Sequence, residues 1–154
     1  MPPTVAAPDA GGMALLVSPP LTPDLAALLA RAMFPDPERV RHELAAYRSG
    51  AGGQVFAWAV GGMVVSAAGL RLEAGHLGAE IRHLGTAPAH TGRGHARTLL
   101  YAAAGALGVR TLWAETDDGA VGFYRRVGFA VSGLPSPWEV NRYLCRLTLP
   151  PAAP

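Results

Sequence analysis

The chain has 154 residues, half of them hydrophobic, which suits one domain with a packed core. Its formal net charge of +2 gives no reason to expect nucleic acid as a partner. All 13 basic residues are Arg, so no lysine serves as a Schiff-base nucleophile, and Cys145 is the only cysteine, which excludes an internal disulfide and a cysteine metal site.

Residues 1–12, "MPPTVAAPDAGG", are rich in Pro, Ala and Gly and are predicted to form a loose tail, as is the end of the chain from residue 150. One domain is expected over residues 13–149. The N-terminus lacks the basic region and long apolar run of a secretory signal, and no apolar stretch suits a bilayer span. A cytoplasmic protein without a membrane partner is the expectation.

"MALLVS" reads as a first strand. "TPDLAALLARAMF" reads as a helix, with Thr22 as N-cap and Pro23 at the first helical position. "DPERVRHELAAY" repeats the pattern from Asp36 and stops at the glycines of "SGAGG". Two apolar runs, "QVFAWAV" and "MVVSAAGL", flank Gly61-Gly62, a hairpin signal. "HLGAEIRHLGT" is a further strand, and a helix is predicted from near Gly94, with Ala96, Leu99, Leu100, Ala103 and Leu107 as its apolar stripe and Gly108 as its stop. "TLWAE" is a short buried strand, "DDGAVGFYRRV" a short helix closed by Gly128, and "FAVSGL" and "NRYLCRLTL" are the last strands. Cys145 in that last run is expected to be a packed small hydrophobe. The order β, α, α, three strands, then α, β, α, β, β predicts a mixed α/β sheet flanked by helices.

The turn "HTGRGHA" carries the first chemical signal. A helix start has unpaired N–H groups and the positive end of the dipole, and Gly92 and Gly94 let an anion reach the backbone, with Arg93 at the rim. A plain strand-to-helix turn would look the same. A P-loop is excluded because the motif requires Lys. A dinucleotide fingerprint belongs after the first strand, and this turn follows the fourth.

Three features together resemble the GNAT superfamily of acyl-CoA-dependent N-acyltransferases. Thr91-Gly92-Arg93-Gly94-His95-Ala96 is similar to the family's Arg/Gln-x-x-Gly-x-Gly/Ala turn, with Thr91 in place of Arg or Gln. The strand "EIRHLGTAPAH" with Pro88 is similar to the approach to that turn. "DDGAVGFYRRVGF" is similar to Asn-x-x-Ala-x-x-x-Tyr-x-x-x-Gly-Phe through Ala120, Tyr124, Gly128 and Phe129, with Asp117 in place of Asn. The resemblance implies an α+β fold: a mixed, mostly antiparallel twisted sheet of about seven strands with about four helices. It further implies acetyl transfer from acetyl-CoA, as co-substrate, to a primary amine on a small molecule, protein or peptide. A homodimer is compatible with it. On the same basis, the Thr91–Ala96 turn holds the diphosphate, Leu84, Gly85 and Thr86 pair with the pantetheine arm, Asp117 and Tyr124 flank it, and the N–H near Leu84 meets the oxyanion.

For the chemistry, an amine needs a base before it attacks, because its pKa lies at roughly 8–10.5. Glu80, on the strand leading into the turn, occupies a position similar to that of the base in the histone-acetylating branch; the competing role is a surface pair with an Arg. His83 is the second candidate, and strict alternation sets it on the opposite strand face from Glu80. His42, His76 and His90 read as loop or surface residues, and no His, Cys, Asp and Glu set has metal-ligand spacing. The resemblance makes Tyr124 the acid that protonates the leaving thiolate; the stripe Ala120, Phe123, Tyr124, Val127 also suits a core tyrosine. A non-catalytic acyl-CoA-binding module on the same fold is the alternative, and a partner domain without a cofactor a third. The acceptor is expected to be set by the first two helices and by the loops 71–76 and 132–141, the latter carrying Trp138 and Glu139.

Overall fold

The computed structural model of the chain describes residues 12–150 apart from His76 and Trp138. The predicted tail up to residue 11, residues 151–154, and the expectations for His76 and Trp138 lie outside the described residues. Seven strands form one sheet: β1 (Met13–Val17), β2 (Gln54–Val60), β3 (Met63–Leu72), β4 (Gly78–Thr86), β5 (Thr111–Asp117), β6 (Ala130–Leu134) and β7 (Arg142–Thr148). Their order is β1-β2-β3-β4-β5-β7-β6, and every neighbouring pair is antiparallel except β4 with β5. Four helices join them: α1 (Pro23–Ala30), α2 (Pro37–Ser49), α3 (His95–Leu107) and α4 (Val121–Val127), with a 3-10 turn at Pro88–His90. This is the predicted mixed, mostly antiparallel α/β architecture.

Local chemistry explains most boundaries. Thr22 Oγ1 accepts from the Leu25 N–H at 3.3 Å, and Asp36 Oδ1 accepts from the Glu38 N–H at 3.2 Å, so each of the first two helices starts on a side-chain cap followed by proline. α2, α3 and α4 end on glycines with positive φ, Gly50, Gly108 and Gly128. Gly61 and Gly62, at φ 58° and 82°, supply the left-handed pair that a tight hairpin needs. α1 stops at Ala30, short of the predicted Phe34: Ala32 and Met33 bond back only three residues, and Phe34 is exposed. Ala120 is the N-cap of α4, so that helix's buried stripe is Val121, Tyr124 and Val127.

Each face of the sheet carries its own apolar cluster, and β2 divides its side chains between them by simple alternation. Val55 and Ala57 join Leu25, Leu28, Leu29 and Met33 under α1, with Tyr47 of α2. Phe56 and Trp58 join Leu99 and Leu100 of α3 and Val121 and Tyr124 of α4. Strands covered on both faces read as continuous apolar runs, which is what "QVFAWAV" displays. Gly85 of β4 allows the closest approach on the α1 side, because a Cβ there would overlap the Leu28 carbonyl oxygen. Gly85→Ala is therefore expected to lower stability by about 1–3 kcal/mol through overpacking, read as a lower urea midpoint with an unchanged m-value.

Candidate active site

The site begins where the sheet opens. β4 pairs with β5 only through Gly78, Ala79 and Glu80, opposite Thr111, Leu112 and Trp113. From Ile81 to Thr86, β4 keeps β3 as its partner, while β5 continues beside β7 to Asp117. The peptide groups of β4 that face β5 are left without a strand partner over this stretch. Leu84, Gly85 and Thr86, the residues expected to meet an extended ligand arm, all lie on it.

The parting starts at an extra residue. Gly69 of β3 pairs with His83, but the next β3 residue, Leu70, pairs with Ile81, so Arg82 is inserted as a bulge. A bulge breaks period-two alternation. Ile81 and Leu84 both pack into the α3–α4 cluster, whereas His83 meets Tyr47 of α2. Glu80, adjacent to Ile81, lies close enough to act electrostatically on both Tyr47 and His83. The expectation that Glu80 and His83 occupy opposite faces is thus corrected: both serve the α2 side.

That side holds a compact polar cluster. Tyr47 Oη lies 2.5 Å from His83 Nδ1, and the two rings meet edge to face. Glu43 Oε2 lies 4.0 Å from His83 Nε2 and 3.5 Å from Arg82 Nη2. Arg71 Nη2 donates to Glu80 Oε1 at 2.7 Å, so the pair that competes with the base role of Glu80 is formed, with Arg71 of β3 as the partner. The His83 side chain is only 11% exposed and that of Glu80 19%. Burial pushes the His83 imidazole below its ordinary value, with Glu43 opposing and Arg82 reinforcing that shift. Burial likewise pushes the Tyr47 phenol well up.

At the far end of the open β4 edge lies the glycine turn. Gly92 and Gly94 have φ of 76° and 80°, and a Cβ on either would meet nothing within 4 Å. Gly94 caps α3 without any side-chain hydrogen bond, leaving the first N–H groups of the helix free for an anion. Arg93 is exposed, His90 and His95 set their ring centroids 6.1 Å apart beside the turn, and His90 Nδ1 is buried without a partner among the described residues. Thr91 Oγ1 donates to the Pro88 carbonyl at 3.1 Å, and Asp117 Oδ1 accepts from the Gly119 N–H at 2.9 Å, so both residues stabilise their own turns.

Tyr124 projects from α4 into the other cluster, against Phe123 and Phe129. Burial raises its phenol well above the ordinary value. The Tyr124 side chain is buried, and its hydroxyl forms no hydrogen bond among the described residues; the fully buried polar atoms without a partner among them are Trp58 Nε1, His90 Nδ1 and Trp113 Nε1. Nearby, Asp118 receives the Tyr143 hydroxyl at 2.6 Å and Asn141 Nδ2 at 3.1 Å, beside a cavity of about 480 Å³ lined by Glu139, Asn141, Arg142 and Tyr143. Among the described residues, no set of three or more His, Cys, Asp or Glu is placed to hold a metal. No helix among them is long and apolar enough to cross a membrane.

The sequence pattern did not single out Glu43, Tyr47 or Gly69. Glu43 and Tyr47 stand one turn apart on α2, a signal that they share a face, but nothing in the chain says which strand they meet.

The model of the acetyltransferase (GNAT) family matches residues 22–129, well over half of the chain. This chain belongs to the GNAT family. Solved structures agree on the fold of this GNAT protein. A GNAT family acetyltransferase from Elizabethkingia anophelis with acetyl-CoA bound is 16% identical, with a TM-score of 0.64 over 89% of this chain and 98% of that one. An acetyltransferase from Thermus thermophilus is 25% identical, with a TM-score of 0.63 over 88% and 97%. A Bacillus subtilis acetyltransferase in complex with CoA is 17% identical, with a TM-score of 0.61 over 88% and 96%. No curated protein gives a significant match.

His83 makes stability depend on pH. Its folded value lies below the unfolded value of about 6.5, so the unfolded chain binds more protons as acid is added. The stability tied to neutral His83 is complete above about pH 6.5 and is lost as the pH falls through the lower folded value. Melting temperatures followed from roughly pH 8 to pH 5 are expected to fall less steeply for His83→Gln than for the parent chain.

Proposed function

We propose that this GNAT protein is an N-acetyltransferase that moves an acetyl group from acetyl-CoA to a primary amine, by direct attack with both substrates bound. One observation carries this: β4 leaves β5 after Glu80, and the open edge leads to an uncapped helix start at Gly94. The diphosphate of CoA suits the N–H groups of Gly92 to Ala96, since the space beside Gly92 and Gly94 is open and Arg93 adds charge. The pantetheine amides suit the unpartnered edge of Leu84 to Thr86, as an added strand would. The acetyl-CoA and CoA named for the Elizabethkingia and Bacillus structures support this choice of co-substrate.

The reaction then runs between two faces. A base on the α2 side, which carries Glu80 and His83, takes a proton from the ammonium group. The freed amine attacks the thioester carbonyl carbon, and the N–H near Leu84 stabilises the oxyanion. Collapse breaks the C–S bond; the sulfur takes the Tyr124 proton, and the surplus proton on nitrogen restores the phenol. A phenol is protonated at neutral pH, and burial of Tyr124 strengthens that preference. The acceptor is a small-molecule or peptide amine admitted from the α1–α2 side and from the cavity beside Glu139.

A second reading, a CoA-binding module without turnover, is favoured by Thr91 and Asp117, whose side chains bind their own turns. Release of free thiol from acetyl-CoA over a panel of primary amines separates the two. Acetylation of at least one amine is expected, and CoA binding with no thiol released from any amine supports the module. Tyr124→Phe is expected to lower kcat by about 10²–10⁴ with little change in CoA affinity.

A further inference from the structure

We infer that His83 is the group that takes the proton from the incoming amine, with Tyr47 fixing its ring and Glu43 facing the positive charge it acquires. This assignment rests on the acetyltransferase reading. Three observations carry it. First, the bulge at Arg82 turns His83 to the α2 face at the start of the open β4 edge, where Ile81 to Thr86 have no β5 partner. Second, each ring nitrogen of His83 faces a polar group. Tyr47 Oη lies 2.5 Å from Nδ1, and Glu43 Oε2 lies 4.0 Å from Nε2. Third, the chain leaves room for this arrangement: a Cβ on Gly69, the residue paired with His83, would overlap the Tyr47 hydroxyl. Glu80, by contrast, already accepts from Arg71.

The proton balance is simple. The proposed base carries its proton on Nδ1 in the neutral ring, directed at Tyr47 Oη, which leaves the lone pair on Nε2. The ammonium proton passes to Nε2, directly or through one water, and the resulting imidazolium faces the Glu43 carboxylate. The ring returns that proton to solvent after product leaves, and its tautomer is unchanged. The charged groups that act on His83 are Glu43 from α2 and Arg82 and Glu80 from β4, with Arg71 from β3 behind Glu80; Tyr47 of α2 is a titratable neighbour, and from α1 Arg31 packs beside Gly85, two residues along β4. Tyr47 and Glu43 are positioning residues.

The test is the pH profile of kcat/KM with an acetylated amine, set beside the titration of His83 followed by ring-carbon NMR in the unmodified full-length chain. The acidic limb is expected to coincide with the His83 titration, below the ordinary imidazole value. Glu43→Gln removes the carboxylate that favours the charged ring, so both the limb and the NMR titration move to lower pH together. Tyr47→Phe lowers kcat while KM for acetyl-CoA stays as it was. His83→Gln lowers kcat by about 10²–10⁴, and His83→Ala regains part of the rate with added imidazole. An acidic limb that does not follow the NMR titration of the parent chain overturns the assignment even if every variant misfolds. So does a limb that vanishes in Glu80→Gln and persists in His83→Gln. No binding of acetyl-CoA, or no acetylation of any amine, overturns instead the reading on which the assignment stands.

Discussion

One inserted residue, Arg82, organises the centre of this molecule. A bulge bends its strand, increases local twist and ends pairing on one side. Here β4 keeps its antiparallel partner β3 along its whole length but gives up the parallel pairing with β5 after Glu80. Parallel pairing is the weaker of the two, so it is the side that opens. The result is a strand edge inside a sheet, flanked by neighbours instead of lying at the rim.

The same insertion sorts side chains. Residues before and after the bulge that should alternate end up on one face, and this collects Glu80, Arg82 and His83 beneath α2. Glycines let the helices come down on them. Gly69 admits the Tyr47 hydroxyl and Gly85 admits the α1 backbone at Leu28, so the packing that holds α1 and α2 to the sheet also fixes the polar cluster. Because interiors are close-packed, a methyl group at either glycine would move the cluster as well as weaken the fold.

The charges in the cluster are arranged in pairs: Glu80 with Arg71, and Glu43 with Arg82. A chain whose only basic residues besides histidine are arginines is suited to this, since guanidinium tolerates partial burial better than ammonium. On the opposite face, Tyr124 sits among aromatic side chains with no ion-paired group beside it among the described residues. The two faces of the sheet thus differ in character: one environment is charged and hydrogen-bonded, the other apolar.

The sequence by itself determined the elements and the glycine turn, because these are local. Thr22 and Asp36 cap the residues immediately after them, Gly61-Gly62 permits a turn that few other pairs permit, and the spacing of Leu99, Leu100 and Ala103 marks one helix face. The motifs around Gly94 and Tyr124 were legible for the same reason: each lies within one turn-and-helix segment. The tertiary structure alone decided which groups meet. Alternation sets Glu80 and His83 apart, and a bulge leaves no mark in composition, since it is defined by the count of residues on the neighbouring strand. Tyr47 and His83 are 36 positions apart and touch only because β3 presents a glycine between them. Contacts of that kind are fixed by register and packing between distant segments, which no window along the chain contains.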